Sequence, residues 1–169
     1  MGNYASEHGD VGAARKYWIT SATCQGLYKS GMSYYNEGDE SLALKYLWRA
    51  VADDRYGHEA EFKLSAAAIA TIVLYSKDKQ IQSYRVAKAV LEILLKDDGN
   101  NAAYNYHYGI AMWFDEDGWR SDKKIAVQHF RRAASYGHKP SASFLNEHKE
   151  EIDELFNPPD PKRVTGYAY

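Results

Sequence analysis

Cysteine and proline are scarce: 169 residues include one cysteine and four prolines. A lone Cys24 excludes an internal disulfide framework and any cysteine-rich metal centre. It stands among small residues, which marks it as a small buried hydrophobe rather than a reactive thiol. Long apolar runs are also missing. The stretch from Ala66 to Tyr75 stops at Ser76-Lys77-Asp78, short of the roughly 18 residues needed to cross a bilayer. Charge of one sign is absent as well: a formal net charge of −2 gives no overall attraction to nucleic-acid phosphates or anionic membranes. Membrane insertion and bulk nucleic-acid binding are therefore discounted.

What is abundant is tyrosine, 15 against 5 phenylalanines, in a chain that is 45% hydrophobic. Tyrosine joins a large apolar body to a polar tip, which suits seams between helices that are packed on one side and wet on the other. The hydrophobic residues fall into a pattern that returns four times. It reads Ala14, Trp18, Ser21, Ala22; Ala43, Leu47, Ala50, Val51; Ala87, Leu91, Leu94, Leu95; and Ala126, Phe130, Ala133, Ala134. Spacings of 4, 7 and 8 place each set on one helix face. The anchors lie 29, 44 and 39 residues apart, and each interval holds a second helix. These are marked by Leu27, Gly31, Tyr34 and Tyr35; Ala60, Leu64, Ala67 and Ala68; Ala103, Tyr106, Gly109 and Trp113; and Ala142, Leu145 and Ile152. The pattern predicts an all-α fold of antiparallel helix pairs stacked as a solenoid.

The punctuation agrees. Gly26, Gly57, Gly99 and Gly137 are placed to end first helices, and Gly38 and Gly118 to end second ones. Asp10, Asp39, Ser83 and Ser121 or Asp122 are N-cap candidates for first helices, Asn100 or Asn101 for a second. Pro140 suits a first helical turn. Gly31, Ala67 and Gly109 are small enough to bring helices close together. Lys77 to Gln82 reads as a loop, and Asn146 to Phe156 as an acidic capping helix for the open end of the stack. The Pro-containing segment 157–169 is expected to be an extended tail, leaving 1–156 as one helical-repeat domain. Gly2 to Asp10 resembles the second half of a repeat, so the chain starts in mid-repeat. The expected location follows from that start: cytoplasmic if Met1 is native, periplasmic or secreted if a targeting segment has been removed.

AVQHFRRAASYG (Ala126 to Gly137) resembles the first helix and turn of the Sel-one-like repeat family, relatives of the tetratricopeptide repeats. YGIAMWFDEDG (Tyr108 to Gly118) and SGMSYYNEG (Ser30 to Gly38) are similar to the family's second helix and its Gly-rich exit. The resemblance covers roughly residues 2 to 150 and implies a right-handed α-solenoid of about four repeats. Val51 and Leu94-Leu95 depart from the family's paired alanines, and Ala60 to Tyr75 lacks its glycine ending. The resemblance implies an adaptor, scaffold or regulator working through protein contacts, with bacterial secretion-linked and immunity proteins among such chains.

Motifs for chemistry fail when their spacing is checked. His58-Glu59 needs a histidine at position 62 to share a metal from one helix face, and that residue is Phe62. A calcium loop with Gly118 in sixth place would put Trp113 first and Lys124 twelfth, where carboxylates are required. His8, His107, His129, His138 and His148 form no two-histidine pattern on a helix face. There is no phosphate-binding glycine loop and no Gly-x-Ser-x-Gly elbow. The expectation is a non-enzyme without metal or cofactor; a cell-wall hydrolase is the enzymatic alternative.

Charge is more informative. The four first helices, taken as 13–24, 42–53, 86–97 and 125–136, hold eight basic and three acidic residues, a net of +5 against −7 elsewhere. By resemblance these helices line a concave groove. Arg15, Lys16, Lys45, Arg49, Lys88, Arg131 and Arg132 lie off the apolar stripe, and Trp48 beside Arg49 is a natural anchor. The predicted partner is another protein, or an acidic peptide segment of one, held by arginine–carboxylate pairing and by Trp48. The alternative is a structural subunit of a homo-oligomer.

Overall fold

The computed structural model describes residues 10–52, 59–115 and 120–158, and at 59, 120 and 121 only the backbone. Several expectations lie outside the described residues: the half-repeat at 2–9, the turns at Gly57 and Gly118, Asp53 and Asp54, His8 and His58, and the tail from 159 onward. Among the described residues the regular structure is nine α-helices with no strand. They are α1 Val11–Ser21, α2 Cys24–Asn36, α3 Glu40–Ala52, α4 Glu59–Tyr75, α5 Tyr84–Asp97, α6 Ala102–Phe114, α7 Arg120–Ser135, α8 Lys139–Glu147 and α9 Lys149–Phe156. The chain divides into two compact units, Met1–Asp97 and Asp98–Tyr169.

In the first unit each helix packs on the next, and α2 also touches α4. Asp10 starts α1 by accepting from the Ala13 N–H at 2.9 Å, Asp39 starts α3 through Leu42 N–H at 2.9 Å, and Ser83 serves α5 through Val86 N–H at 3.2 Å. These caps satisfy donors that the first helical turn leaves unpaired. Between α2 and α3, Gly38 adopts φ +84°; its N–H bonds Tyr35 O at 3.0 Å and Asp39 N–H bonds Tyr34 O at 3.0 Å. That is a Schellman closure, and it reverses the chain within three residues. The reversal brings Gly31 against α3, where a Cβ would lie 2.6 Å from Leu47 Cγ. Ala43, Leu47 and Ala50 of α3 and Ala87, Leu91 and Leu94 of α5 are buried, so positions 0, 4 and 7 of the repeated pattern form the core.

The first copy of the pattern and the assignment of Gly26 are corrected. Helix α1 stops at Ser21, with Ala22 in the left-handed region at φ 49°, so Ser21 and Ala22 are exposed and do not continue the stripe. The next helix starts immediately, capped by Thr23 through Gly26 N–H at 3.0 Å. Gly26 is thus inside α2 and does not end a helix; a Cβ there would lie 2.7 Å from Trp18 O, so the glycine permits a close crossing of α1 and α2. Cys24 is buried, its thiol 3.3 Å from Ala50 O. The expected face of α4 is also rotated. Ser65, Ala66, Ile69, Ala70 and Val73 are buried, whereas Ala60 and Leu64 are exposed. Residues 64–75 carry no charge, so no polar side marks the register.

The second unit packs α6 on α7, α7 on α8, and α9 on both α7 and α8. Asn101 caps α6 through Tyr104 N–H at 3.1 Å. Gly137 at φ +80° repeats the Schellman closure, with Gly137 N–H to Ala134 O at 2.9 Å and His138 N–H to Ala133 O at 3.1 Å. Ala126, Phe130 and Ala133 are buried. A Cβ on Gly109 would sit 2.6 Å from the Phe130 ring, which explains the small residue there. Helix α7 begins at Arg120, so Ser121 and Asp122 lie within it and are not its N-cap. Pro140 occupies the first turn of α8. The expected last helix breaks at His148 into α8 and α9. Its buried residues are Ser141, Phe144, Ile152 and Leu155; Ala142 is exposed.

Candidate functional site

The exposed side of α3 carries Ser41, Lys45, Trp48, Arg49 and Ala52, spaced to form one face opposite Ala43, Leu47 and Ala50. Trp48 is 41% exposed although the helix has a well-buried opposite face. Lys45 and Arg49 stand one turn apart beside it, and among the described residues neither is paired with a carboxylate.

At the Arg49 edge of this face runs a ladder of cations and rings. The Arg15 guanidinium lies 4.0 Å from the centroid of the Tyr34 ring, Tyr34 stacks on Tyr46 at 5.4 Å with 6° between the planes, and the Arg49 guanidinium lies 5.7 Å from the Tyr46 centroid. The order Arg15, Tyr34, Tyr46, Arg49 therefore crosses α1, α2 and α3, two guanidinium groups closing a tyrosine pair. Tyr46 also packs on the cluster of Cys24, Leu27 and Ala50, which fixes the ladder to the core.

Arg15 is the better held of the two cations. It pairs with Glu37 and donates to Ser33 Oγ at 3.0 Å. The bond to Glu37 raises its pKa above the ordinary arginine value, against the opposing effect of burial. Arg15 is thus a fixed part of the ladder, whereas Lys16 on the same helix is exposed. Lys88 is half-buried and has interactions of its own.

Arg131 and Arg132 belong to the second unit, on exposed positions of α7. The Arg131 guanidinium lies 5.3 Å from the centroid of the Phe156 ring of α9. Arg132 depresses the pKa of His129 by its charge, adding to the larger effect of burial. The eight expected residues thus resolve into a connected group, Arg15, Lys45, Trp48 and Arg49, and others standing apart from it.

Sequence reasoning missed Tyr34 and Tyr46. The sequence marks Tyr34 as a residue of a second helix without a partner ring, and the ring stack depends on a contact between α2 and α3. It also missed an acidic hollow formed by Glu37, Asp39, Glu40 and Asp78. Each of these carboxylates is engaged: Glu37 by Arg15, Asp39 as a cap, Glu40 by the Ser76 hydroxyl, and Asp78 by Gln80 N–H at 2.8 Å. Among the described residues no three His, Cys, Asp or Glu side chains group as a metal site, and no helix is long and apolar enough to cross a membrane. Compared with protein-family models, curated proteins and solved structures, the chain matches none.

Proposed function

We propose that this chain is a protein-interaction module, an adaptor or regulator that holds an acidic segment of a partner on the exposed face of α3. The observation that carries the reading is the exposed Trp48 between Lys45 and Arg49, with Arg49 resting on the Tyr34–Tyr46 stack. An indole on a rigid helix offers large apolar area at little entropic cost, and flanking cations select carboxylates in the bound segment. Arg49 is held at its base by the Tyr46 ring, which leaves its outward N–H groups for a carboxylate. The repeated helix-pair pattern supports a Sel-one-like solenoid of about four repeats as the scaffold.

The test is affinity purification of the tagged chain from its native host, followed by mass spectrometry, with wild type, Trp48→Ala, Arg49→Glu and Arg132→Glu in parallel. A partner lost from the first two variants and kept by the third supports the α3 face. With that partner in hand, Trp48→Ala is expected to weaken binding by about 2 kcal/mol, roughly thirtyfold. Binding unchanged in Trp48→Ala and in Arg49→Glu at low salt removes the face from consideration.

A second reading, self-association, rests on a different surface of the first unit. Lys63 of α4 pairs with Asp97 of α5; Leu64 is next to Lys63 in the chain, and Ile93 is one helical turn before Asp97. Leu64 is 50% and Ile93 52% exposed. Two exposed apolar side chains on helices joined by this pair favour a second copy as their cover. Light scattering across a concentration series decides it: a mass that rises in wild type and stays monomeric in Leu64→Lys with Ile93→Lys supports the reading, and a monomer throughout ends it.

A further inference from the structure

All four described histidines lie in the second unit, each against an aromatic ring. His107 and His138 both lie against the Tyr106 ring, at 5.5 and 4.7 Å between centroids. That ring in turn meets Phe130 at 5.9 Å. His138 is also the N-cap of α8: its Nδ1 accepts from Ser141 N–H at 3.3 Å and faces Ser141 Oγ at 2.9 Å. Only a neutral imidazole with its proton on Nε2 has a lone pair at Nδ1 to accept with. The more usual caps, Ser, Thr and Asn, keep their acceptor at any pH.

We propose that the start of α8 is an acid-released latch: protonation of His138 and His107 removes the cap and loosens α8 from α6 and α7 while α9 stays tied. The surrounding charges point the same way. A charged His138 would stand at the positive end of the α8 dipole beside Lys139, with no carboxylate in the first helical turn. From α6, His107 has its pKa lowered, first by burial and then by His138 itself. From α7, the nearby titratable group is His129, lowered by burial and by Arg132. Glu147, at the far end of α8, acts on Tyr106 and raises that phenol's pKa together with burial.

Helix α9 has the opposite arrangement. Its Glu151 accepts from Lys123 of α7 at 2.7 Å and lies 3.4 Å from His148 Nδ1. The bond from Lys123 holds the Glu151 carboxyl below its ordinary range despite some desolvation. Acidification to pH 5 leaves the Lys123–Glu151 tie in place.

The consequence of release is exposure of Phe144, which packs on Phe130 at 4.2 Å and edge-on to Trp113 at 5.4 Å. The experiment is amide hydrogen exchange on the full chain at pH 7.5 and pH 5.0, corrected for intrinsic exchange rates. A histidine excluded from protonation in the closed state multiplies opening by at most about thirtyfold over that interval. The expected result is a loss of protection at Ser141 and Ala142 at least tenfold greater than the loss at Phe130 of α7 and Ile152 of α9. His138→Asp and His138→Asn, which retain an oxygen acceptor at both pH values, are expected to keep α8 protected at pH 5.0. Equal protection of Ser141 and Ala142 at the two pH values overturns the latch, as does loss that is undiminished in both variants or no greater than the loss at Phe130. The wild-type comparison decides even if neither variant folds.

Discussion

Asn105 is fully buried and has every polar atom of its side chain engaged. Its Nδ2 donates to Gly99 O at 2.9 Å and to Asn101 O at 2.8 Å, which fixes the orientation of the amide. Oδ1 must then accept, and the ring nitrogen 2.8 Å away is His129 Nδ1. The neutral His129 tautomer consequently carries its proton on Nδ1 and keeps its lone pair on Nε2. This one amide ties the α5–α6 connection to α6 and α7. Asn105→Ala leaves Gly99 O and the imidazole N–H without this partner and Asn101 O with the Asn105 backbone N–H alone, and is expected to destabilise the protein by about 1–3 kcal/mol in urea unfolding. Gly109→Ala should cost a similar amount, about 1–3 kcal/mol, for the separate reason that its Cβ has no room against Phe130. The glycine was legible in the sequence as a small residue on a helix face. The asparagine was not, because its partner is 24 residues away and no local spacing announces it.

At the scale of the helix, what the sequence revealed best was chain ends. Asp39 as a cap and Gly38 and Gly137 as left-handed stops are local chemistry, settled within four residues, and they stand where the pattern put them. Asp39→Ala is expected to lower stability by about 1 kcal/mol, read as a shift in the denaturation midpoint without a change in slope. Ala22 offers the opposite test. A non-glycine residue at φ 49° is strained by its Cβ, so Ala22→Gly is expected to raise the thermal midpoint, unlike most substitutions of alanine by glycine. Helix faces were legible only where polarity alternates. The Ala43, Ala87 and Ala126 faces are backed by charged sides and were read in the correct register. Helix α4 is apolar nearly all round, so its register came only from contact with α3 and α5. The candidate site divides in the same way. Lys45, Trp48 and Arg49 were visible as residues off a stripe, whereas the locking of Arg15 by Glu37 and the Tyr34–Tyr46 stack needed the α1–α2 and α2–α3 packing.

At the scale of the whole molecule, the two units differ in how they should respond to pH. His107 and His129 both have pKa values lowered from the usual histidine value, each chiefly by burial. A lowered value means that the packed state favours the neutral ring. Their contribution to stability is present in full above about pH 6.5, the ordinary histidine value, and is lost progressively as the pH falls from there through the lowered value. Below pH 6.5 the unfolded state binds more protons, so stability must fall with pH. The described part of the first unit, 10–52 and 59–97, contains no histidine. Hydrogen exchange of the slowest core amides, Ile110 and Phe130 in the second unit against Leu47 and Leu91 in the first, reads the two separately. Between pH 7.5 and a more acid pH 4.5, the slowest amides of the second unit are expected to lose more protection than those of the first. Equal losses in both units would show that burial of His107 and His129 does not set the acid sensitivity of this protein.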